Sequence, residues 1–392
     1  MPALVGTINQ AICNQAVRYQ AIRRGCSLRA VITAWLLATA CATTPTYAAD
    51  YRLEVIGEGL EFPWSIEFLG NGQMLVTERG GDLHILGEAG ELSPPIAGVP
   101  ATYVRSQGGL FDVLLAPDFA ATKQLYLSFA KGPAGANATH VVRATLEGNT
   151  LTNIYPVAAV TPTKDTAVHY GGRLAWDRTG ALLMTSGDGF DYREAAQDKN
   201  SLLGKVIRIG PTGELPANNP FIDQVDAHPM VYSYGHRNPQ GLAVDAITGR
   251  IYLHEHGPRG GDELNLIEPG RNYGWPLTSY GVDYTGALIS PFQQLPDITD
   301  PLVHWTPSVG ASGLTQYRGD AFPQWRGDLF VGTLVERSVR RVDLDATGAV
   351  VGQEILFQEL DERIRDVRTG PDGYLYLLTD NADGRVIRVI PD

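Results

Sequence analysis

This 392-residue chain predicts an all-β fold, a six-bladed β-propeller. Three observations lead there. One unit recurs along the chain: an apolar strand, a turn with Gly or Asp, a second apolar strand, a polar turn and a third strand. The composition is rich in turn formers, with 44 Gly and 25 Pro against only 19% charged residues. No segment of helical period and useful length follows residue 49.

The copies follow in order. Ser65–Leu86 (SIEFLGNGQMLVTERGGDLHIL) is the first, and Gly109–Leu146 is a looser second. Arg173–Ile209 and Gly241–Ile267 are clear, Gly313–Leu344 is loose, and Asp366–Ile390 is clear again. Their short runs alternate apolar and polar residues and favour Val, Ile, Leu and Tyr, as strands do. Asn71-Gly72, Thr179-Gly180, Thr248-Gly249 and Asp372-Gly373 supply the positive φ that tight hairpins need. Six such sheets cannot each bury two faces alone, whereas a radial arrangement lets them cover one another. Tyr51–Glu58 is expected to add an outer strand to the last blade and close the ring. A β-sandwich is the alternative, but regular Gly-Asp turns over so long a stretch favour the ring. Loops at one end of a propeller channel are the natural place for a site.

Residues 1–49 differ from the rest. They contain no Asp, Glu or Lys; Arg23, Arg24 and Arg29 precede the apolar run Ala30–Ala42, and small residues continue to Ala49. This reads as a secretory signal peptide, with residues 50–392 as the propeller domain. Lipidation at Cys41, after Ala38-Thr39-Ala40, is the alternative for this leader. Cys13, Cys26 and Cys41 all lie in it, so the propeller carries no disulfide. The expected location is the periplasm or the exterior, with no membrane span. Without the leader, Lys+Arg falls from 31 to 27 against 43 Asp+Glu, a net charge of −16. Such a surface repels phosphate backbones, which argues against nucleic acid and suits metal cations and neutral substrates.

Several loops carry groups that can do chemistry. His169 precedes Tyr170-Gly171-Gly172-Arg173, and its ordinary pKa near 6.5 suits a general base. Asp188, in Ser186-Gly187-Asp188-Gly189, ends a strand of the same blade and could orient the imidazole. A plain loop histidine and a plain turn aspartate read the same way. Gln107-Gly108-Gly109 opens another blade and offers an amide at the channel mouth. Arg237-Asn238 offers a fixed charge to an oxygen. Arg363 and Arg365 flank Ile364 and project to one face, so they need an anion or nearby acids between them. Glu359, Asp361, Glu362 and Asp366 are the acids at hand. Gly257-Pro258 opens an acidic Gly-rich loop whose carbonyls can bind a hard cation. Glu263, the Tyr273 carbonyl and Asp283 could form an all-oxygen calcium site; simple Gly-Asp turns would look alike.

Taken together, QGGLFDVLLAPDF, HYGGRLAWD, GKVIRI, SYGHRNPQGLA, EHGPRGGDELNLI, NYGWP and RIRDVRTGPDGYLYLLTD resemble the soluble pyrroloquinoline-quinone (PQQ)-dependent aldose sugar dehydrogenases of the glucose/sorbosone dehydrogenase family. The resemblance runs over about Leu53–Pro391. It implies a six-bladed propeller that oxidises aldoses at the anomeric carbon to lactones, with hydride passing to calcium-bound PQQ and electrons onward to an external acceptor. It implies that His169 is the base, oriented by Asp188, and that Gln107, Arg237 and Asn238 contact quinone or substrate. Arg363 and Arg365 would hold cofactor carboxylates, and Tyr284 and Thr333 would line the cofactor. The Gly257 and Pro258 carbonyls would bind the catalytic calcium, and Glu263, Tyr273 and Asp283 a structural one. A monomer or weak dimer is expected. The chain departs from the pattern at Val335, where many members place a cofactor-binding Lys after Gly-x-Leu; Arg337 is the nearest substitute. A calcium-dependent propeller lactonase or esterase is the alternative activity, and a non-catalytic binding propeller a third reading. Paired arginines disfavour the second, since a neutral ester needs no such clamp.

Overall fold

In the computed structural model, residues 50–392 are described; the leader and the Cys41 reading lie outside them. The chain enters on β1 (Tyr51–Leu60) and then lays down six sheets. The first holds β2 (Pro63–Phe68), β3 (Met74–Glu78) and β4 (Leu83–Leu86). The second holds β5 (Leu110–Leu115), β6 (Gln124–Lys131), β7 (Ala138–Glu147) and β8 (Thr150–Ala159). The third holds β9 (Leu174–Trp176), β10 (Leu182–Ser186), β11 (Lys205–Ile209) and β12 (Val231–Tyr234). The fourth holds β13 (Pro239–Val244), β14 (Ile251–Glu255), β15 (Asp262–Ile267) and β16 (Val303–Trp305). The fifth holds β17 (Ala311–Gln316), β18 (Leu329–Thr333), β19 (Val339–Leu344) and β20 (Val350–Leu356). The last holds β21 (Ile364–Thr369), β22 (Leu375–Thr379) and β23 (Gly384–Pro391). All pairings within these blades are antiparallel.

The first strands of successive blades touch in turn, and β21 returns to β2, so the sheets form a six-bladed ring. The expected closure is present. β1 pairs with β23, with Tyr51 opposite Pro391 and Val55 opposite Ile387. The four anticipated hairpin glycines, Gly72, Gly180, Gly249 and Gly373, take φ of 82°, 83°, 80° and 83°. Among the described residues, the only α-helical segment is the single turn Phe119–Thr122.

Burial follows from position in the blade. Second strands are flanked by strands on both edges and by sheets on both faces, so β3, β10, β14, β18 and β22 are buried at every position. Outer strands have one free edge; β20 alternates half-buried and exposed residues. Each gap between neighbouring blades has its own apolar core. Leu75 and Leu83 meet Leu110 and Leu127; Tyr126 and Val141 meet Leu182 and Met184; and Leu183 and Val206 meet Leu242 and Leu253. Leu264 meets Leu314 and Val331, Phe330 and Val339 meet Leu377 and Ile387, and Leu378 and Val386 meet Ile66 and Val76. Each such side chain contributes about 1.5–3 kcal/mol by leaving water.

The axis of the ring is polar. Asp112 of β5, Asp366 of β21 and Arg173 are all buried there. Arg173 pairs with Asp366 at 3.1 Å, and Arg368 reaches both Asp366 and Asp112 at 2.9 Å. Buried charges persist only when paired this closely. The knot ties blades two and six together beneath the loops that carry the site. Arg173 also donates to the Arg365 carbonyl at 3.2 Å, which links this floor to the residues above it.

Candidate active site

His169 is buried just before the cavity-lining Tyr170 and Gly171 and has a left-handed φ of 52°, a conformation that a non-glycine residue holds only when its surroundings fix it. Three contacts do so. Its backbone N–H donates to Gln107 Oε1 at 2.8 Å, its Nδ1 lies 2.7 Å from Asp188 Oδ1, and its ring meets Phe190 edge-on. Gly187 is required beside it, because a Cβ there would run into the His169 carbonyl. The predicted hairpin contact between His169 and Asp188 is therefore present.

Asp188 is fully buried, and three donors converge on it. Besides His169, the Phe190 N–H donates to Oδ1 at 2.8 Å and Trp275 Nε1 to Oδ2 at 2.7 Å. Burial alone would raise its pKa; the bond and charge of His169 and the Phe190 N–H outweigh that and hold it below the ordinary carboxylate range. Burial pushes the His169 imidazole below its ordinary value, against the opposing pull of Asp188. An ionised Asp188 accepts from Nδ1–H, so Nε2 is the bare, proton-accepting nitrogen. Trp275 belongs to the Asn-Tyr-Gly-Trp-Pro turn noted in the sequence, but its role as a donor to Asp188 crosses two blades and could not be read there.

Beside this pair opens a cavity of about 320 Å³, within the range that takes small ligands. Of the candidate residues, Gln107, Asn238, Gly257, Pro258, Tyr284, Arg363 and Arg365 line it, and so does Val335, where the family pattern has Lys. Arg79, Trp64 and His256 also line it and were not anticipated. Arg363 and Arg365 do share one face and one anion. That anion is Asp380, which takes Arg363 Nη2 at 2.7 Å and Arg365 Nη2 at 3.0 Å. The acids near in sequence are engaged elsewhere: Glu359 by Tyr51, Asp361 by Arg337, Glu362 by Arg385 and Asp366 by Arg173 and Arg368. One carboxylate between two guanidiniums leaves a net positive charge facing the cavity, and Arg79 adds another. In a chain this acidic, such a cluster fits an anion.

Arg237 is buried against Trp275, with Nη1 donating to the Gly257 carbonyl at 2.6 Å and its backbone N–H donating to Glu255. Its Nε is buried and has no partner among the described residues, so a ligand acceptor is wanted there. Next to it lies a second, water-sized cavity of about 10 Å³, lined in part by Arg237, Glu255, Gly257, Pro258, Glu263 and Tyr273. Glu255 and Glu263 stand opposite each other across β14 and β15. Burial, then the Glu255 charge, pushes the Glu263 carboxyl well up. Two facing acids around a space of that size suit a small hard cation. Asp283 does not line this space; its Oδ1 is taken up by the Thr285 N–H and hydroxyl at 2.9 and 2.8 Å.

Two more placements differ from expectation. Thr333 is fully buried, donates to the Ser338 carbonyl at 2.8 Å within its own hairpin and does not line the cavity. Arg337 pairs with Asp361 at 3.1 Å and does not stand in for the missing Lys. Val335 occupies that rim position and is 63% exposed.

Comparison with known proteins agrees with this geometry. The Glucose / Sorbosone dehydrogenase family matches residues 60–388. The aldose sugar dehydrogenase YliI of Escherichia coli (strain K12) is 39% identical over 365 residues, spanning 91% of this chain and 98% of that protein. Quinoprotein glucose dehydrogenase B of Acinetobacter calcoaceticus is 27% identical over 416 residues, covering 85% and 86%. The PQQ-bound aldose sugar dehydrogenase from Streptomyces coelicolor superposes with a TM-score of 0.71 at 28% identity, covering 88% of this chain and 99% of that one. On the motifs, the ring and these matches, the chain belongs to the glucose/sorbosone dehydrogenase family.

Proposed function

We propose that the protein oxidises aldose sugars at the anomeric carbon to lactones, using PQQ and Ca²⁺, and passes electrons to an external acceptor. The observation that carries this is the side-by-side placement of a neutral, oriented imidazole and a cationic cavity. When bound, calcium-ligated PQQ supplies the hydride acceptor.

The protein's own groups do the rest. His169 Nε2 takes the proton of the anomeric hydroxyl. Asp188 keeps the proton on Nδ1 and stabilises the imidazolium as it forms. Trp275 and the Phe190 N–H hold Asp188 still. Gln107 keeps His169 in its left-handed turn and leaves an amide N–H₂ for a ligand oxygen. Arg363, Arg365 and Arg79 would bind the cofactor's carboxylates. Arg237 would turn its unpartnered Nε, and Asn238 its side-chain amide, to the quinone end or the sugar. Tyr284, exposed and stacked on Phe190, would form the outer wall. The Gly257 and Pro258 carbonyls would hold the calcium at the cofactor. Glu263 and Tyr273 would hold a second calcium in the water-sized cavity, and Asp283 joins them only by releasing Thr285. Thr333 would act indirectly, by fixing the β18–β19 hairpin behind Leu334 and Val335.

Among the described residues no helix is long and apolar enough to cross a membrane. The Arg-led apolar run in residues 1–49 supports export to the periplasm or beyond, which fractionation of a tagged chain tests. Reconstitution tests the activity. Apo-protein given calcium and PQQ should reduce a dye with aldoses as donors. If the same preparation only hydrolyses lactones or esters, the hydrolase reading replaces this one.

A further inference from the structure

We propose that Glu78, Asp82 and His84, at the β3–β4 hairpin of blade one, bind a borderline divalent transition ion of the zinc class, separate from the calcium sites above. The placement follows from the hairpin. β3 and β4 pair Val76 with His84, and the Glu78 N–H donates to the Asp82 carbonyl at 2.8 Å across the loop Arg79–Gly81. In an antiparallel pair this puts the side chains of Glu78, Asp82 and His84 on one face.

Two carboxylates set opposite each other repel, and among the described residues His84 is the cationic group that acts on Glu78. Glu78 and His84 are each only 7% exposed. His84 Nδ1 lies 2.9 Å from the Ser93 carbonyl, which sets Nδ1 as the donor and leaves Nε2 as the nitrogen able to ligate. That Nε2 points at Glu78 Oε2 across 3.9 Å, too far for a hydrogen bond. The other Glu78 oxygen is already used by the Glu61 N–H at 2.8 Å. Two atoms that can each ligate a cation therefore face each other from largely buried side chains, with no hydrogen bond joining them. Ligands at about 2.1 Å from a shared ion can lie up to about 4.2 Å apart, so this gap accepts an ion with little movement. One ligand atom from each of the three residues lies within 4.8 Å of the others, and exposed Asp82 can swing to close the shell. One imidazole and two carboxylates select Zn²⁺ and its neighbours over Ca²⁺, which prefers six to eight oxygens. Glu78 precedes Arg79 in the chain, but Glu78, Asp82 and His84 do not themselves line the main cavity.

The test is isothermal titration of the calcium-loaded protein with ZnCl₂, alongside Co²⁺ absorption as a geometric reporter. One ion per chain is expected, bound with calcium in excess. His84→Gln and Asp82→Asn should each weaken it at least about tenfold and remove the Co²⁺ bands. Asp82 is exposed, so its variant stays folded even if His84→Gln does not. No stoichiometric binding by the folded parent, or equal binding by parent and Asp82→Asn, overturns the proposal.

Discussion

Replacing Asp188 by Asn changes one carboxylate that three donors share. His169 Nδ1 and the Phe190 N–H meet Oδ1 at 2.7 and 2.8 Å, and Trp275 Nε1 meets Oδ2 at 2.7 Å. An Asn offers one acceptor oxygen and one N–H₂. If the oxygen faces His169, the N–H₂ confronts the Trp275 N–H, two donors buried together. If the amide is turned over, the N–H₂ faces Nδ1, which must then accept, and the proton moves to Nε2. The base is lost in that state. Either way a buried donor goes unmatched, at about 1–3 kcal/mol of stability. A base held in the wrong tautomer loses about 10²–10⁴ in kcat, or about 2.7–5.4 kcal/mol of barrier. Dye-linked aldose oxidation with saturating quinone and calcium measures kcat, and thermal unfolding measures the stability loss. The double variant Asp188→Asn/Trp275→Phe separates the two orientations. Removing the indole N–H frees the amide oxygen to face His169, so the double variant should turn over faster than Asp188→Asn alone. The reasoning is refuted if Asp188→Asn keeps kcat within about threefold of the parent, or if Trp275→Phe makes it worse by its own full single-variant loss.

Other outcomes follow from the same geometry. His169→Ala should lower kcat by about 10²-fold or more while quinone affinity, measured by fluorescence titration, stays as it was. His169 acts deprotonated and its pKa is depressed by burial, so kcat/KM should stay level as pH falls through about 6.5 and drop only below it; a decline centred at or above that value contradicts the assignment. At the cationic wall two changes should act in opposite directions. Arg363→Ala weakens cofactor binding, and Val335→Lys, at a rim position that is 63% exposed, tightens it. Unchanged affinity in both variants, by the same titration, would falsify the clamp.

The inner strands were readable because they are long runs of buried apolar residues closed by Gly turns. The fourth strands were not. Thr150–Ala159 and Val350–Leu356 lie at blade edges, keep much of their surface in water and carry no apolar run to detect. His169 and Asp188 were legible as a pair because one hairpin brings them together. Asp380 was hidden for the opposite reason. Of its partners, Arg365 lies on the neighbouring strand β21 and Arg363 just before it, and only the β21–β22 register brings Asp380 closer than the acids adjacent in sequence. Arg79 was masked by its place in an ordinary Gly-Gly turn. Thr333 falls at a position that the resemblance ties to the cofactor, and position does not tell which way a hydroxyl turns in a tight hairpin.

The most direct measurement is an absorption titration of the apo-protein with PQQ and excess calcium, followed by an aldose. An oxygen-ringed ion and a guanidinium cradle should take up the quinone to one equivalent, and the sugar should then bleach its oxidised spectrum. A flat titration, or a bound chromophore that no aldose reduces, contradicts the account at its root.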